Sequence, residues 1–348
     1  MMPFFSVIVS LYNVEKYFSR GISCLAGQLF QDFEAILVDD GSTDETPSLC
    51  DRTAENDGRF KIIHQQNSGV GPARNRGLKQ ATGKYICFFD IDDFVRNDWL
   101  EILYGRVKET EPELLIFGYR EINPKYGMIS RFSFDEITFR SNRELREGYV
   151  SQISGIRWNN GFLWNKVYDR NFLLKNNLWL PDSRIQGDEL FNLEVYEKVE
   201  RVSVVPDILY DYFVSESGNI RSSFIPDRLD IFCKIKTSFL KLYKDWALDD
   251  ERFLQYVHER FIKSVLFNRN RASLKETLYY YSSLVRLDSV QESAHYVLDS
   301  KDALRRRDFS FFCYCQAIRK KSARGIMVLS QMDEVRAWIR KIVWKIIK

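Results

Sequence analysis

Asp90 and Asp92 are the residue pair in this chain whose types and spacing point most directly to chemistry. They follow the apolar run 85–89, and because side chains alternate along an extended strand, both carboxylates are expected on the same side. Two carboxylates held so close repel each other, and a hard divalent cation such as Mg²⁺ or Mn²⁺, with substrate phosphates completing its shell, relieves the repulsion. The pair therefore indicates a metal–diphosphate site. The alternative is a pair of solvated loop acids before a helix, with Asp93 as its cap.

Other polar residues follow apolar segments in the same way. They are Tyr12-Asn13 after segment 4–10, Asp39-Asp40-Gly41-Ser42 after segment 34–39, and Asn67-Ser68-Gly69 after segment 60–65. Each group alone is better explained by a structural role, as a helix cap, a loop or a turn. In open α/β sheets, however, ligands bind outside the carboxyl ends of the strands. Taken together with Asp90 and Asp92, these groups predict one shared crevice.

The elements that must position these residues alternate along the first 120 residues. The spacing predicts strands over 4–10, 34–39, 60–65, 84–90 and 114–117, separated by helices over 14–30, 43–56 and 70–81. Ser42 and Glu45 fit a capping box for the second helix, and Pro72 suits the first turn of the third. Near-continuous apolar strands alternating with helices predict an α/β fold with a mostly parallel sheet covered on both faces.

Length and composition exclude several classes of protein. A chain of 348 residues with 45% hydrophobic and 28% charged residues is folded and large enough for two domains. Six scattered cysteines and three histidines form neither a disulfide framework nor a zinc motif. The sequence contains neither a membrane-spanning apolar run nor the pattern of a signal peptide, so a cytoplasmic location is expected.

Six motifs together resemble a known family. They are SVIVSLYN (6–13), VDDGSTD (38–44), QNSGVGPARNRG (66–77), FFDIDD (88–93), WNKVY (164–168) and GDELFN (187–192). In order and spacing they are similar to the nucleotide-sugar domain of family 2 glycosyltransferases of the GT-A fold. The resemblance implies a glycosyltransferase domain over residues 1–220, with a donor half of about 1–120 and an acceptor half of about 121–220, followed by a helical region over 221–348.

The resemblance also implies roles for residues of the donor half. Asp40 would accept a hydrogen bond from the base of a UDP-type donor, Tyr12, Asn67 and Arg74 would hold the nucleotide and its phosphates, and Asp90 with Asp92 would form the metal-binding DxD motif. A cation together with Arg74 would stabilise charge on the departing β-phosphate. Without the motif, a helix-surface residue is the preferred explanation of Arg74. The family commonly has proline where this chain has Ser10.

A second group of residues concerns the acceptor. An attacking hydroxyl benefits from a carboxylate base, and the resemblance aligns Asp188 with that base. Gly187 stands where the family commonly has glutamate, and Glu189 is a partial substitute. The alternative for Asp188 is a helix cap. Trp164 and Lys166 are expected to line the acceptor side, although Trp164 is equally well explained as a core residue.

After about residue 220 the chain shows helical periodicity and a basic end. Residues 301–348 hold 13 Lys and Arg against 4 Asp and Glu. Over 326–348, apolar residues recur at three- and four-residue spacing with Trp338 and Trp344 at their boundary, which is typical of a cationic interfacial helix on anionic lipid. The alternative is a helix that packs on the domain or on a second subunit, so a homo-oligomer stays open.

The sequence thus predicts a Mn²⁺- or Mg²⁺-dependent inverting glycosyltransferase of surface polysaccharide synthesis. Its donor would be a UDP-sugar, its acceptor a glycan or lipid-linked glycan, and its location cytoplasmic with peripheral attachment to the inner face of the cell membrane. Two other classes remain: a nucleotidyltransferase, although a Gly-rich phosphate loop is missing after the first strand, and a non-catalytic glycan- or partner-binding protein of the same fold. Nucleic acid is not an expected partner.

Overall fold

The structure is a computed structural model that describes residues 2–125, 127–149, 161–214, 225, 227–266, 273–299 and 308–333. The chain divides into two compact units, Met1–Ser217 and Gly218–Lys348. The first unit is a mixed α/β structure, and the described residues of the second form helices and the short connections between them.

The first unit contains the sheet. Its strands are β1 (Phe5–Leu11), β2 (Phe33–Asp39), β3 (Phe60–His64), β4 (Tyr85–Phe88), β5 (Phe94–Val95), β6 (Leu114–Asn123), β7 (Gly127–Phe132), β8 (Ile137–Phe139), β9 (Lys166–Asp169) and β10 (Val202–Phe213). Its helices are α1 (Glu15–Ala26), α2 (Thr46–Asn56), α3 (Val70–Gln80), α4 (Trp99–Thr110), α5 (Asn142–Gly148), α6 (Arg170–Lys175) and α7 (Gly187–Lys198).

Among the described residues the sheet has ten strands, in the order β3-β2-β1-β4-β9-β6-β10-β5, with β7 on β6 and β8 on β10. Strands β3, β2, β1 and β4 run parallel, as do β6 and β10, while β9 enters antiparallel between β4 and β6. Every residue of β2 and β4 is buried, which explains their near-continuous apolar sequences. The prediction of an α/β fold with parallel strands leading to the crevice is confirmed.

Close packing of helices on the sheet depends on glycine at two positions. A Cβ on Gly77 of α3 would lie 2.6 Å from Cγ2 of Ile8 in β1. A Cβ on Gly21 of α1 would lie 2.4 Å from the carbonyl oxygen of Ile91. α3 therefore approaches the sheet, and α1 the turn after β4, more closely than any larger residue allows. These contacts fix the positions of the two helices beside the crevice.

Two local predictions are wrong. The Ser42–Glu45 capping box does not form, because α2 begins at Thr46, with Glu45 at its N-cap position, and the Ser42 hydroxyl accepts the backbone N–H of Asn13 at 3.0 Å. Strand β4 ends at Phe88 rather than Asp90, and the backbone N–H of Asp93 donates to the carbonyl of Asp90 at 3.0 Å, which closes a turn. Asp90 and Asp92 therefore lie on a turn and do not share one face of a strand.

The second unit consists of α8 (Arg228–Asp245), α9 (Glu251–Leu266), α10 (Leu274–Leu284), α11 (Asp288–Asp299), α12 (Phe309–Arg319) and a helical segment over 323–333. The predicted helical character of this region is confirmed over these residues. In the last segment Ile326 is buried, whereas Val328 and Met332 are exposed. The remainder of the predicted amphipathic helix, with Trp338 and Trp344, lies outside the described residues. No helix that the structure describes is long and apolar enough to cross a membrane.

Candidate active site

The loops after β1 and β2 are tied together at the carboxyl edge of the sheet. Asn13 adopts a left-handed backbone conformation with φ of 53°, which asparagine tolerates better than most residues. Its side-chain oxygen accepts the backbone N–H of Thr43 at 2.8 Å, while its own N–H donates to the Ser42 hydroxyl. The neighbouring Tyr12 is 51% exposed. The two loops therefore form one wall of the crevice, on which Tyr12 presents an accessible ring.

Asp40 organises the loop between β3 and α3. Its carboxylate accepts the backbone N–H groups of Ser68 and Gly69 at 2.9 and 2.8 Å, and the side-chain amide of Gln65 at 2.7 Å. Asp40 is 3% exposed, whereas Asn67 at the tip of the loop is exposed. Asp40 thus supports this loop from beneath. That its carboxylate also accepts a hydrogen bond from the base of a nucleotide stays a prediction.

Arg74 lies at the centre of the site. It projects from α3, is 6% exposed, and donates through Nη2 to Asp90 and through Nη1 to Asp188, each at 2.7 Å. Burial acts to lower the pKa of Arg74, but the charges of Asp188 and Asp90 outweigh it and raise that pKa. The helix-surface explanation of Arg74 is therefore wrong. A fork of two fixed N–H donors joins carboxylates that are 98 residues apart in the chain.

The turn after β4 carries the second predicted carboxylate, Asp92. Asp92 is exposed at the surface, but the protein around its carboxylate removes part of the surrounding water. This desolvation and the negative charge of Asp90 raise the pKa of Asp92. Asp93, in contrast, is 1% exposed and accepts the Tyr210 hydroxyl and the Phe213 N–H. Asp93 is therefore a buried structural acid rather than the cap of α4, whose N-cap residue is Asp98.

Asp90 and Asp92 fit a divalent cation that is shared with a ligand. The negative charge of Asp90 raises the electrostatic cost of ionising Asp92, and a cation beside them removes that cost. Among the described residues, no group of three or more His, Cys, Asp or Glu side chains is arranged to hold a metal ion. Mg²⁺ and Mn²⁺ sites with one or two carboxylates take their remaining ligands from phosphates and water. The donor set therefore suits a metal–diphosphate complex better than a metal bound by protein alone.

Asp188 lies in the first turn of α7, and Gln186 occupies the N-cap position without a side-chain cap bond. The explanation of Asp188 as a helix cap is therefore wrong. Its carboxylate accepts from Arg74 and keeps 28% of its side-chain surface exposed. The amide of Asn192 donates to the Asp188 carbonyl at 2.9 Å and to the Gly161 carbonyl at 3.0 Å. Asn192, which the motifs did not single out, thus fastens the segment before β9 to the turn that carries Asp188.

The three residues proposed for the acceptor side are buried. Trp164 is 2% exposed and stacks between Phe162 and Tyr210, with ring centroids 4.4 and 4.5 Å away. Lys166 is fully buried, and burial lowers its pKa to about 7 against the opposing charge of Asp188. Glu189 is 6% exposed and accepts from Gln186 at 3.3 Å. Trp164 belongs to the core, as the alternative explanation had it, and none of the three offers an open surface to a sugar in this conformation.

Comparison with known proteins agrees with this geometry. The family model described as Glycosyl transferase family 2 matches residues 6–164. This segment belongs to the family 2 glycosyltransferases. The family and GT-A fold predicted from the motifs are thereby confirmed, and the family match favours a glycosyltransferase over a nucleotidyltransferase.

Individual relatives are bacterial glycosyltransferases. The chain is 31% identical over 216 residues to the uncharacterized glycosyltransferase EpsJ of Bacillus subtilis, covering 61% of each protein. It is 27% identical over 267 residues to the poly(ribitol-phosphate) β-N-acetylglucosaminyltransferase TarS of Staphylococcus aureus strain MW2, covering 74% of this chain and 44% of TarS. The match thus spans less than two thirds of either relative.

The fold is similar to a crystal structure of S. aureus TarS residues 1–349 in complex with UDP-GlcNAc. The TM-score is 0.69 at 23% identity, and the match covers 96% of this chain and 92% of that one. At this identity the likeness concerns the fold, and it extends through the helical unit.

Proposed function

We propose that the chain is a metal-dependent inverting glycosyltransferase that transfers a sugar from a nucleotide donor to a glycan or lipid-linked acceptor in surface polysaccharide synthesis. The observation that carries the proposal is the Arg74 fork, which holds Asp90 and Asp188 at 2.7 Å each. One carboxylate belongs to the turn expected to receive a diphosphate, and the other belongs to the helix expected to supply a base. The guanidinium of Arg74 thus contacts both the carboxylate expected beside the leaving group and the carboxylate expected to activate the nucleophile.

For the donor we propose a UDP-sugar. The loops after β1, β2 and β3 meet at the carboxyl edge of the sheet. Exposed Tyr12 lies on the loop after β1, and exposed Asn67 lies at the tip of the loop that Asp40 supports. This is the position at which open α/β sheets bind ligands. The TarS structure of the same fold contains UDP-GlcNAc, which supports a uridine nucleotide and an N-acetylhexosamine or hexose as the first candidates.

Asp90 and Asp92 would hold Mn²⁺ or Mg²⁺ against the diphosphate. When bound, such an ion supplies Lewis-acid stabilisation of the charge that develops on the departing β-phosphate. Arg74 is placed to add a second, fixed positive charge beside Asp90. Because Arg74 is buried and oriented by two carboxylates, little reorganisation is needed when charge develops nearby.

Asp188 would act as the general base toward the acceptor hydroxyl. It retains exposed surface while its carboxylate is oriented by Arg74, and its turn is fastened from below by Asn192. In direct displacement the base takes the proton of the attacking hydroxyl on the face opposite the leaving group. A single displacement of this kind inverts the configuration at the anomeric carbon.

The decisive test compares Asp188→Asn with Glu194→Gln, which removes an exposed carboxylate from the same helix. We expect Asp188→Asn to lower transfer by about 10²- to 10⁴-fold, the usual contribution of a positioned base, while UDP binding measured by calorimetry stays within about threefold. Glu194→Gln should leave both unchanged. Near-normal transfer by Asp188→Asn would remove the base assignment. A wild-type protein that binds donors but neither hydrolyses nor transfers them would instead be a binding protein of this fold.

We also propose that the protein is cytoplasmic and attaches to anionic membrane through its C-terminal segment. Support comes from exposed Val328 and Met332 and from the basic sequence that follows them. Deleting residues 334–348 preserves buried Ile326 and should abolish sedimentation with phosphatidylglycerol vesicles, with phosphatidylcholine vesicles as control. Unchanged sedimentation, or loss of a dimer in light scattering, would favour packing on protein.

A further inference from the structure

The hydroxyl of Tyr210 contacts both ends of the turn that carries Asp90 and Asp92. Tyr210 lies in β10 and is 1% exposed. Its oxygen accepts the backbone N–H of Asp90 at 3.1 Å, and its O–H donates to a carboxylate oxygen of Asp93 at 2.9 Å. The first and last residues of a four-residue turn are therefore joined through one buried phenol.

Asp93 extends this connection to the backbone of β10. Its second carboxylate oxygen accepts the backbone N–H of Phe213 at 2.8 Å. Both oxygens of Asp93 are thus engaged with β10, and the side chain points away from solvent. Of the three acids on this turn, Asp93 fixes its position and leaves Asp90 and Asp92 to face a ligand.

The phenol itself has little freedom to move. Its ring stacks on Trp164 with centroids 4.5 Å apart and planes 12° apart, and it meets the edge of Phe89 at 6.0 Å. Antiparallel pairing of Tyr210 with Val95 of β5 fixes its backbone just beyond the turn. Rigid packing of this kind makes a hydrogen-bonding group an effective positional restraint.

We infer that Tyr210 is a positioning residue, which clamps the Asp90–Asp93 turn and thereby sets the affinity of the Asp90–Asp92 pair for a divalent cation. The clamp on the turn exists in the protein without metal. Only its effect on metal affinity rests on the proposed function. Groups that orient metal ligands without touching the metal commonly contribute 10- to 100-fold to metal affinity. The separation of Asp90 and Asp92 is the geometric quantity that the clamp would hold constant.

The test uses Tyr210→Phe, which keeps the ring and its stacking on Trp164 but removes the hydroxyl. The matched control is Tyr119→Phe, since Tyr119 pairs with Tyr210 in the sheet, is equally buried and contacts the same Trp164 ring at 4.8 Å. In the metal-free full-length protein, amide hydrogen exchange across residues 89–95 should be at least about tenfold faster in Tyr210→Phe than in wild type or Tyr119→Phe.

Binding of Mn²⁺ in the presence of UDP, measured by electron paramagnetic resonance of the free ion, gives the second readout. The half-saturating Mn²⁺ concentration should rise about tenfold or more in Tyr210→Phe and stay unchanged in Tyr119→Phe. Unchanged exchange in Tyr210→Phe, or equal effects of both variants, would overturn the inference. Faster exchange in Tyr210→Phe, combined with a wild type that binds no Mn²⁺, would support the clamp and refute the proposed metal site instead.

Discussion

Replacing Arg74 with methionine should destabilise the first unit. It should also strengthen the binding of Mn²⁺ alone and weaken the binding of Mn²⁺ together with UDP. Methionine keeps an apolar stem in the buried site but removes the positive charge that Asp90 and Asp188 share. Arg74→Lys is the comparison, because a single ammonium retains the charge and loses the fork that reaches both carboxylates.

The magnitude follows from the two hydrogen bonds of 2.7 Å. Hydrogen bonds to charged groups contribute about 1.5–3 kcal/mol each, and the lower value applies because the Asp90 and Asp188 side chains are 29% and 28% exposed. The loss of about 3 kcal/mol is partly offset because methionine avoids the desolvation cost of a buried guanidinium, leaving about 2 kcal/mol. For a unit of this size that lowers Tm by about 4–8 °C.

Without nucleotide, the Arg74→Met substitution should strengthen the binding of Mn²⁺. Removing a neighbouring positive charge favours Mn²⁺ at Asp90 by about 1 kcal/mol in a solvated site, which is about fivefold tighter binding. With UDP present, the variant also loses a positive charge beside the diphosphate, so binding of the Mn²⁺–UDP complex should weaken by about tenfold or more.

Calorimetry with Mn²⁺ alone and with Mn²⁺ plus UDP separates these effects, and thermal unfolding gives the stability. Arg74→Lys should fall between wild type and Arg74→Met in all three measurements. If Arg74→Met lost stability but bound both forms of the metal like wild type, Arg74 would be a structural ion pair and its place in the mechanism would be refuted.

Two further predictions concern stability. Burial and the charge of Lys236 lower the pKa of His258 to about 4, so its contribution to stability is complete above about pH 6.5 and should fall by at most about 3 kcal/mol as pH drops toward 4. Urea unfolding of the helical unit should show this slope, and His258→Gln should flatten it. Gly77→Ala places a Cβ 2.6 Å from Ile8 and should cost about 1–3 kcal/mol. Gly105→Ala in α4, with open space around the new Cβ, should be neutral or stabilising, and equal thermal shifts in the two variants would contradict the packing argument.

The crevice was predictable because its position follows from topology. Once apolar strands alternate with helices, parallel pairing brings the ends of β1, β2, β3 and β4 to one edge whatever the details of each loop. Asn13, Asp40 and Asp90 are found there for this reason. Their detailed contacts were not predictable, since Asn13 and Asp40 bond to loops about 30 residues away.

The wrong local predictions share a physical cause, which is competition from distant partners. Ser42 and Glu45 match the capping-box pattern, but the Ser42 hydroxyl is taken by Asn13, 29 residues earlier. Phe89 is buried like a strand residue although β4 has already ended. A prediction from hydrophobicity alone therefore extended the strand into the turn. Periodicity reports burial and cannot separate a buried strand end from a buried turn.

No local pattern gave Tyr210 or Asn192 its role, although Asn192 closes the motif 187–192. Each is a polar residue within an element that the sequence explains by packing alone. Tyr210 acquires its role from Asp90, 120 positions away, and Asn192 from Gly161, 31 positions away. Arg74 is intermediate: the motif marked it, but its bond to Asp188, 114 residues later, depends on α3 and α7 meeting in space.

The charges of the assembled site favour a divalent cation for the proposed chemistry. Asp90, Asp92 and Asp188 bring three carboxylates together, while Arg74 bonds to two of them and Arg20 donates to the backbone carbonyl of Asp92. Around Asp90, Asp92 and Asp188 these side chains supply three negative charges against two positive ones before any diphosphate arrives. A nucleoside diphosphate adds further negative charge at the same place, and partly buried like charges are costly. A divalent ion at Asp90 and Asp92 would offset the charge of the diphosphate, so a nucleotide sugar should bind this crevice more tightly together with its metal than alone.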